Sequence, residues 1–269
     1  VSTPVAFLTD YGPGTEHVGA LHAVVASACP GAARIDLAHD IPPGDVRWGA
    51  IVLARLAPLV PGAVIVAVVD PAVGTERRGL AVALAGGGYV VGPDNGLLGP
   101  VAERVGARSA AELADEAHMR TPVAPTFHGR DVYAPVAAHL AAGGALSGLG
   151  PAVDVETIAK PKMPAANVGP GRVEALGVGW DRFGNIALLA GPDDLRAARI
   201  DEGAFVWVIA GEHRHRARVG SVFADVPRGG VLVHVDSSGA LAIAVNGGSA
   251  VERLGLAPGE AVGIVAMEG

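Results

Sequence analysis

Apolar and polar positions follow two different rhythms along this chain. In the first half, short apolar runs alternate with longer runs of helical spacing. Residues 5–9 form the first apolar run, which stops at the turn-forming Asp10-Tyr11-Gly12-Pro13-Gly14. Apolar residues then recur at 18, 21, 24, 25 and 28, which predicts a helix over 18–28 closed by Pro30-Gly31. Residues 33–37 predict the next strand, and Asp45 is placed to cap a helix reaching residue 59. Residues 63–69 are apolar on both faces, the pattern of a strand covered on two sides, and they end at Asp70. Runs at 80–85 and 89–92 flank Gly86-Gly87-Gly88 and predict a hairpin, and 132–142 predicts a helix.

This β–α alternation predicts an N-terminal domain, residues 1–150, built as an open α/β sheet with helices on both faces. Ligands bind such sheets outside the carboxyl ends of the strands, where Asp10 and Asp70 fall. Beyond residue 143 the alternation dissolves among Pro151, Pro161, Pro164 and Pro170, predicting a linker over 151–170. After it come only strand-like runs, at 172–178, 185–189, 204–210, 230–235 and 240–245. Asp236-Ser237-Ser238-Gly239 suits a hairpin turn between the last two. Residues 171–269 are therefore expected to form a smaller all-β domain, sandwich- or barrel-like.

Composition narrows the function. The chain has 269 residues, 50% of them hydrophobic and 17% charged, with a net charge of −7. A weakly acidic chain whose only lysines are Lys160 and Lys162 is poorly suited to gripping phosphate backbones, which argues against nucleic-acid partners. The single Cys29 excludes an internal disulfide and a cysteine-based zinc cluster, and suits a reducing compartment. No basic segment precedes the apolar residues 5–8, and the most apolar stretch, 50–69, is broken by Arg55, Pro58 and Pro61. A soluble cytoplasmic protein without a membrane partner is the expectation.

The common phosphate-loop, dinucleotide, zincin and serine-hydrolase signatures are missing from the sequence. His213-Arg214-His215 sets two imidazoles on one side of a strand, but no third ligand stands nearby, so no metal is expected. Three polar clusters remain. Asp10, ending an apolar strand, suits either a ribose diol or a simple Asx turn. Arg77 lies beyond Asp70 across a Pro/Gly loop that can fold it back as an ion pair, catalytic or structural. His128 sits in a loop between Pro125 and Gly129, a place for a general base or an anion donor. In the second half, Asp181-Arg182-Phe183-Gly184-Asn185 offers an aromatic face and an amide able to read an adenine edge. Asn246-Gly247-Gly248-Ser249 lets backbone approach a ligand closely.

Taken in order, FLTDYG, HDIPPGDV, VVDPAVGTERR, VGPDNGLL, TFHGRD and DRFGN resemble the S-adenosylmethionine (SAM) hydrolases, or SAM hydroxide adenosyltransferases, relatives of the fluorinase and chlorinase. The resemblance implies that water, as hydroxide, attacks the ribose 5′ carbon of SAM, releasing methionine and leaving adenosine, with no cofactor. It maps a catalytic Asp-Arg-His triad onto Asp70, Arg77 and His128. It maps the ribose-diol carboxylate onto Asp10, with Tyr11 beside it, and the adenine reader onto Asn185. Phe183 and Phe223 match nucleoside-packing aromatics, Gly247 a backbone contact to adenine, and Asp181 and Ser237 contacts to the methionine end. It also implies a homotrimer with sites between subunits.

The chain departs from its relatives in places. An aspartate usual soon after the first motif is replaced by Gly14-Thr15-Glu16-His17, so either Glu16 substitutes or the methionine ammonium is held differently. Ser238 stands where the fluorinase has an arginine. Gly129 stands where the fluorinase has a halide-contacting serine, and Asp70 where the halogenating enzymes carry a hydroxylated residue. A fixed carboxylate there repels halide, which favours water over a halide-dependent adenosyltransferase. A non-catalytic SAM or adenosine sensor is the rival from another class. Arg77 cannot serve as a base; the sequence leaves either Asp70 or His128 to take the proton.

Overall fold

The computed structural model describes residues 2–257 and 259–267. The chain divides into two compact units between Lys162 and Met163. The first contains, in order, β1 (Val5–Thr9), α1 (Glu16–Ala28), β2 (Arg34–Ala38), α2 (Val46–Leu56), β3 (Val64–Val68), β4 (Gly79–Leu84), β5 (Tyr89–Pro93), α3 (Gly99–Val105), β6 (Ala107–Glu112), α4 (Ala134–Ala141) and β7 (Ala152–Val153). The sheet order is β2-β1-β3-β5-β4-β6-β7. Strands β2, β1, β3 and β5 run parallel, while β4, β6 and β7 pair antiparallel.

The doubly apolar strands are explained by the cover on each face. Val5 and Phe7 of β1 join Val64, Val66 and Val68 of β3 in a core with α1 and α4. Ala6, Leu8, Ile65 and Ala67 face the opposite way, into a core with α2 and α3. Because β2 and β3 flank β1 on opposite sides, the connections diverge there and open a crevice at the carboxyl ends of β1 and β3.

Most predicted boundaries move by a residue or two. Asp45 caps α2 by accepting from Trp48 N at 2.9 Å, but the α-helix stops at Leu56 and a 3-10 turn carries Pro58. The helix predicted at 132–142 begins instead as a π turn, Gly129–Tyr133, before α4. The sequence pattern missed α3, short and carrying a proline in its first turn, and β6, whose Arg108 and Ser109 break the apolar run. The 151–170 segment is not a free linker. Ala152–Val153 pairs with β6, Ile158 is buried, and Ala159 N donates to Asp94 at 2.8 Å. Proline-rich composition hid these local attachments.

The second unit comprises β8 (Asn167–Gly169), β9 (Arg172–Trp180), β10 (Ile186–Leu188), α5 (Pro192–Ala197), β11 (Phe205–Ala210), β12 (His213–Val219), β13 (Val231–Val235), β14 (Leu241–Val245), α6 (Ala250–Leu254) and β15 (Ala261–Ala266). The order is β10-β14-β13-β12-β11-β15-β9-β8, and β10 also pairs with β9, closing a barrel rather than a sandwich. Strand β12 was expected only as the strand that carries His213 and His215, without bounds, because His213, Arg214 and Arg216 dilute its apolar face. The short α5 and α6 were also unforeseen. Among the described residues no helix is long and apolar enough to cross a membrane.

Candidate active site

The crevice brings Asp10 and Asp70 to neighbouring strand ends, since β1 and β3 pair in register from Val5↔Val64 to Thr9↔Val68. The 70–77 loop then folds back on itself. Arg77 Nε donates to Asp70 Oδ1 at 2.6 Å, and Arg77 Nη2 donates to Asp70 Oδ2, a bidentate pair. The pair is buried, with 10% of the Arg77 side chain and 4% of the Asp70 side chain exposed. Arg77 has two further partners: Nη1 donates to the Tyr133 hydroxyl at 2.9 Å, and Nη2 lies 3.2 Å from His128 Nδ1. An arginine can only donate, so Nδ1 accepts, and neutral His128 carries its proton on Nε2. Burial and then the Arg77 charge hold the His128 pKa below the ordinary histidine value, outweighing the carboxylates nearby.

Two contacts set this geometry. Gly74 adopts φ +81°, and a Cβ there would lie 2.6 Å from the Pro125 carbonyl oxygen, so the Asp70 loop packs directly on the His128 loop. Asp131, its side chain 1% exposed, accepts from Ala124 N at 2.9 Å and pairs with Arg130 Nε at 2.7 Å, pinning the same loop. Burial pushes the Asp131 carboxyl up, but the Arg130 and Ala124 hydrogen bonds bring it below the usual range, so it stays charged.

Tyr11 packs edge-on to Phe127, ring centres 5.8 Å apart. A Cβ on Gly129 would come within 2.4 Å of the Tyr11 hydroxyl, so this ring position requires glycine there. Burial, followed by neighbouring carboxylates, drives the Tyr11 pKa upward, and burial does the same for Tyr133, so both phenols stay neutral. The Asp10 carboxyl is also pushed up by burial; its Oδ2 accepts from Gly44 N at 2.8 Å, which Gly44 presents at φ +74°. Glu16 is exposed at the start of α1.

In the second unit, Phe183, Asn185, Phe223 and Gly247 line a cavity of about 400 Å³ with Val245, Asn246 and Gly248. Phe183 and Phe223 are 67% and 48% exposed, so both rings offer open faces. Asp181 Oδ1 accepts from Phe183 N at 2.9 Å and Asn185 N at 3.0 Å, and Oδ2 from Asn185 Nδ2 at 2.8 Å. That carboxylate therefore builds the turn and orients the Asn185 amide, with its carbonyl oxygen turned away from Asp181. Ser237 is exposed in the β13–β14 turn and does not line the cavity.

The structure thus assembles Asp70, Arg77 and His128 in one cluster, and Phe183, Asn185, Phe223 and Gly247 around one cavity. Tyr133, Gly44 and Asp131 went unassigned by sequence reading. Gly44 and Asp131 lie inside motifs that were already visible; a left-handed glycine between Pro43 and Asp45 was the available signal. Tyr133 has no local signal, since its partner is 56 residues away.

Comparison with known proteins places this arrangement. Residues 5–150 match the profile of the SAM hydroxide adenosyltransferase N-terminal domain, and residues 178–263 that of the corresponding C-terminal domain. A Salinispora tropica protein named (R)-S-adenosyl-L-methionine hydrolase is 43% identical, with 97% of each chain covered. A fluorinase from an Actinoplanes species is 29% identical over 90% of each chain. The crystal structure of an uncharacterized conserved protein from Thermotoga maritima superposes with a TM-score of 0.89 at 36% identity, covering 97% of this chain and 99% of that one.

Proposed function

This chain belongs to the SAM hydroxide adenosyltransferase family, and from that premise we propose that it hydrolyses S-adenosylmethionine to adenosine and methionine. The observation that carries the reading is the buried Asp70–Arg77 pair with His128 on the same guanidinium, at the sheet's ligand crevice. In this reading water sits beside Arg77 and the His128 Nε2–H, which hold its oxygen as it becomes hydroxide. Asp70, whose oxygens keep further lone pairs, takes the proton. The oxygen forms a bond to the ribose 5′ carbon while the C–S bond breaks. The electron pair of that bond returns to sulfur, and methionine leaves neutral at the thioether. Opposite charges cancel as the reaction advances, so a site that excludes water favours it, and in-line placement supplies much of the remainder. Asp10 holds the ribose diol, Tyr11 packs beside it, and Asn185 with the two phenylalanines holds the base. Neither metal nor cofactor takes part. The fixed Asp70 carboxylate disfavours a halide nucleophile.

The test is the reaction in ¹⁸O-water with a chelator present and no added halide. Adenosine and methionine are expected in equal amounts, with the label on the ribose hydroxyl. Unlabelled adenosine would rule out attack by water, activity restored only by a divalent ion would rule out the metal-free reading, and no adenosine at all would leave a sensor.

The pH profile should report His128. Its lowered pKa keeps the imidazole neutral at pH 7, and protonation would turn an N–H toward Arg77 and break that contact. The acid limb of kcat/KM is therefore expected below the ordinary histidine pKa of about 6.5. His128→Asn, which keeps an acceptor toward Arg77 but does not titrate, should lose that limb. A limb unchanged in the variant would assign it to another group.

We also propose a homotrimer whose sites combine the first unit of one subunit with the second unit of another. Mixing inactive Asp70→Ala and Asn185→Ala proteins under subunit exchange should then restore activity. A mixture as inactive as its parts would place each whole site in one chain.

A further inference from the structure

The fold gathers three side chains that no motif spacing suggested: His22 of α1, Asp36 of β2 and His39 just beyond β2. Their ligand-type atoms lie within 4.8 Å of one another. His22 Nε2 and His39 Nε2 both meet Asp36 Oδ1, at 2.7 and 3.0 Å. His22 is further fixed by stacking on Phe7, ring centres 4.9 Å apart. His39 is 7% exposed, and its other nitrogen, Nδ1, lies 2.8 Å from the hydroxyl of Thr9, which is fully buried.

These contacts bracket Asp10 on the chain. Thr9 Oγ1 also accepts from Tyr11 N at 3.2 Å, and the His39 carbonyl accepts from Gly12 N at 2.8 Å. The protons can be assigned consistently with neutral His39. Thr9 Oγ1 receives the Tyr11 N–H and so has its own hydrogen to give to Nδ1; Nε2–H then donates to Asp36. His39 therefore ties the backbone at residues 9, 11 and 12 to a carboxylate on the neighbouring strand, while Gly44 holds the Asp10 carboxylate itself.

We infer that His39, braced by Asp36 and His22, is a positioning residue that fixes the Asp10-Tyr11 turn for the nucleoside. The inference rests on Asp10 being the ribose-diol ligand. A turn held from both sides does not have to be ordered when the nucleoside arrives, so the cost of binding falls.

The test compares Thr9→Val, which deletes the hydroxyl at constant shape, with Thr9→Ser, which keeps it. His39→Ala, Asp36→Asn and Asp10→Ala are measured alongside. Adenosine Kd by calorimetry, KM and kcat for SAM, and Tm are read for each. Thr9→Val and His39→Ala should raise adenosine Kd and KM about 5–10-fold, with kcat at saturation changing less than about 2-fold; a 10-fold change corresponds to about 1.4 kcal/mol. Thr9→Ser should stay near the parent, and Asp36→Asn should fall between. A lowered Tm with unchanged Kd in Thr9→Val would reduce the cluster to a structural role and overturn the inference. If His39→Ala does not fold, the Thr9 pair still decides. Weaker binding in Asp10→Ala alone overturns the inference and spares the ribose reading; unchanged binding in Asp10→Ala removes both. Stoichiometric zinc binding abolished by Asp36→Asn would make the cluster a cation site and overturn the hydrogen-bond account.

Discussion

Asp70→Ala is expected to lower kcat by about 10²–10⁴, the usual effect of losing a general base. A second loss adds to the first. Arg77, with 10% of its side chain exposed, would keep Tyr133 and His128 as neutral partners but lose its bidentate carboxylate, so the guanidinium proposed to hold the nucleophile would drift. The same change leaves a buried cation unpaired, which typically costs about 3–5 kcal/mol of stability. Stability and chemistry must therefore be read apart. Single-turnover rates at saturating SAM, taken well below the variant's Tm, give the chemical step, and calorimetry gives binding. SAM affinity should change little, because in the proposed reaction the triad faces the nucleophile and not the sulfonium. Asp70→Asn keeps the shape and should recover much of the stability but not the rate. An Asp70→Ala protein that binds SAM poorly yet turns over normally at saturation would remove Asp70 from the nucleophile side.

Asp10→Ala should show the reverse balance. Two ribose hydroxyls bonded to a carboxylate contribute roughly 1.5–3 kcal/mol each, so KM is expected to rise by about 10²-fold or more, tenfold per 1.4 kcal/mol. The variant also strands Gly44 N–H, which now donates to Asp10 Oδ2 at 2.8 Å. That loss lies in the same loop and should lower Tm modestly. Adenosine, the product that carries the same diol, should lose affinity in parallel with SAM, whereas methionine affinity should not move. A KM within a factor of about two of the parent would take the diol contact away from Asp10.

The two aspartates illustrate how unevenly the site could be read. Each ends an apolar run before a turn, so its place at a strand's carboxyl end followed from the local pattern alone. That the two strands are neighbours, so that Asp10 and Asp70 share one crevice, is a property of the sheet order. Arg77 was foreseeable as a partner of Asp70 because the intervening loop is short and rich in proline and glycine. Tyr133 was not, because its hydroxyl reaches Arg77 from a helix that resembles ordinary core. Asp181 shows a structural part that the sequence did not reveal. The family resemblance implied a ligand contact, and its oxygens also accept from the backbone of its own turn and from Asn185.

By itself the sequence determined the alternating strands and helices of the first unit, the strand-rich second unit, and the residues of the Asp-Arg-His set. The strands and helices rest on local periodicity, whose physics acts within a few residues; the Asp-Arg-His set rests on the resemblance of short motifs to the family, and the fold brings His128 to Arg77 across 51 residues. The tertiary structure alone decided the pairing of β10 with β14 and of β9 with β15, the packing of Gly74 on Pro125, the approach of Tyr11 to Gly129, and the gathering of His22, Asp36 and His39 behind the Asp10 turn. Those contacts join different elements of the fold. Their geometry comes from how the strands are ordered and how closely two backbones can approach, and neither leaves a periodic trace in the order of the amino acids.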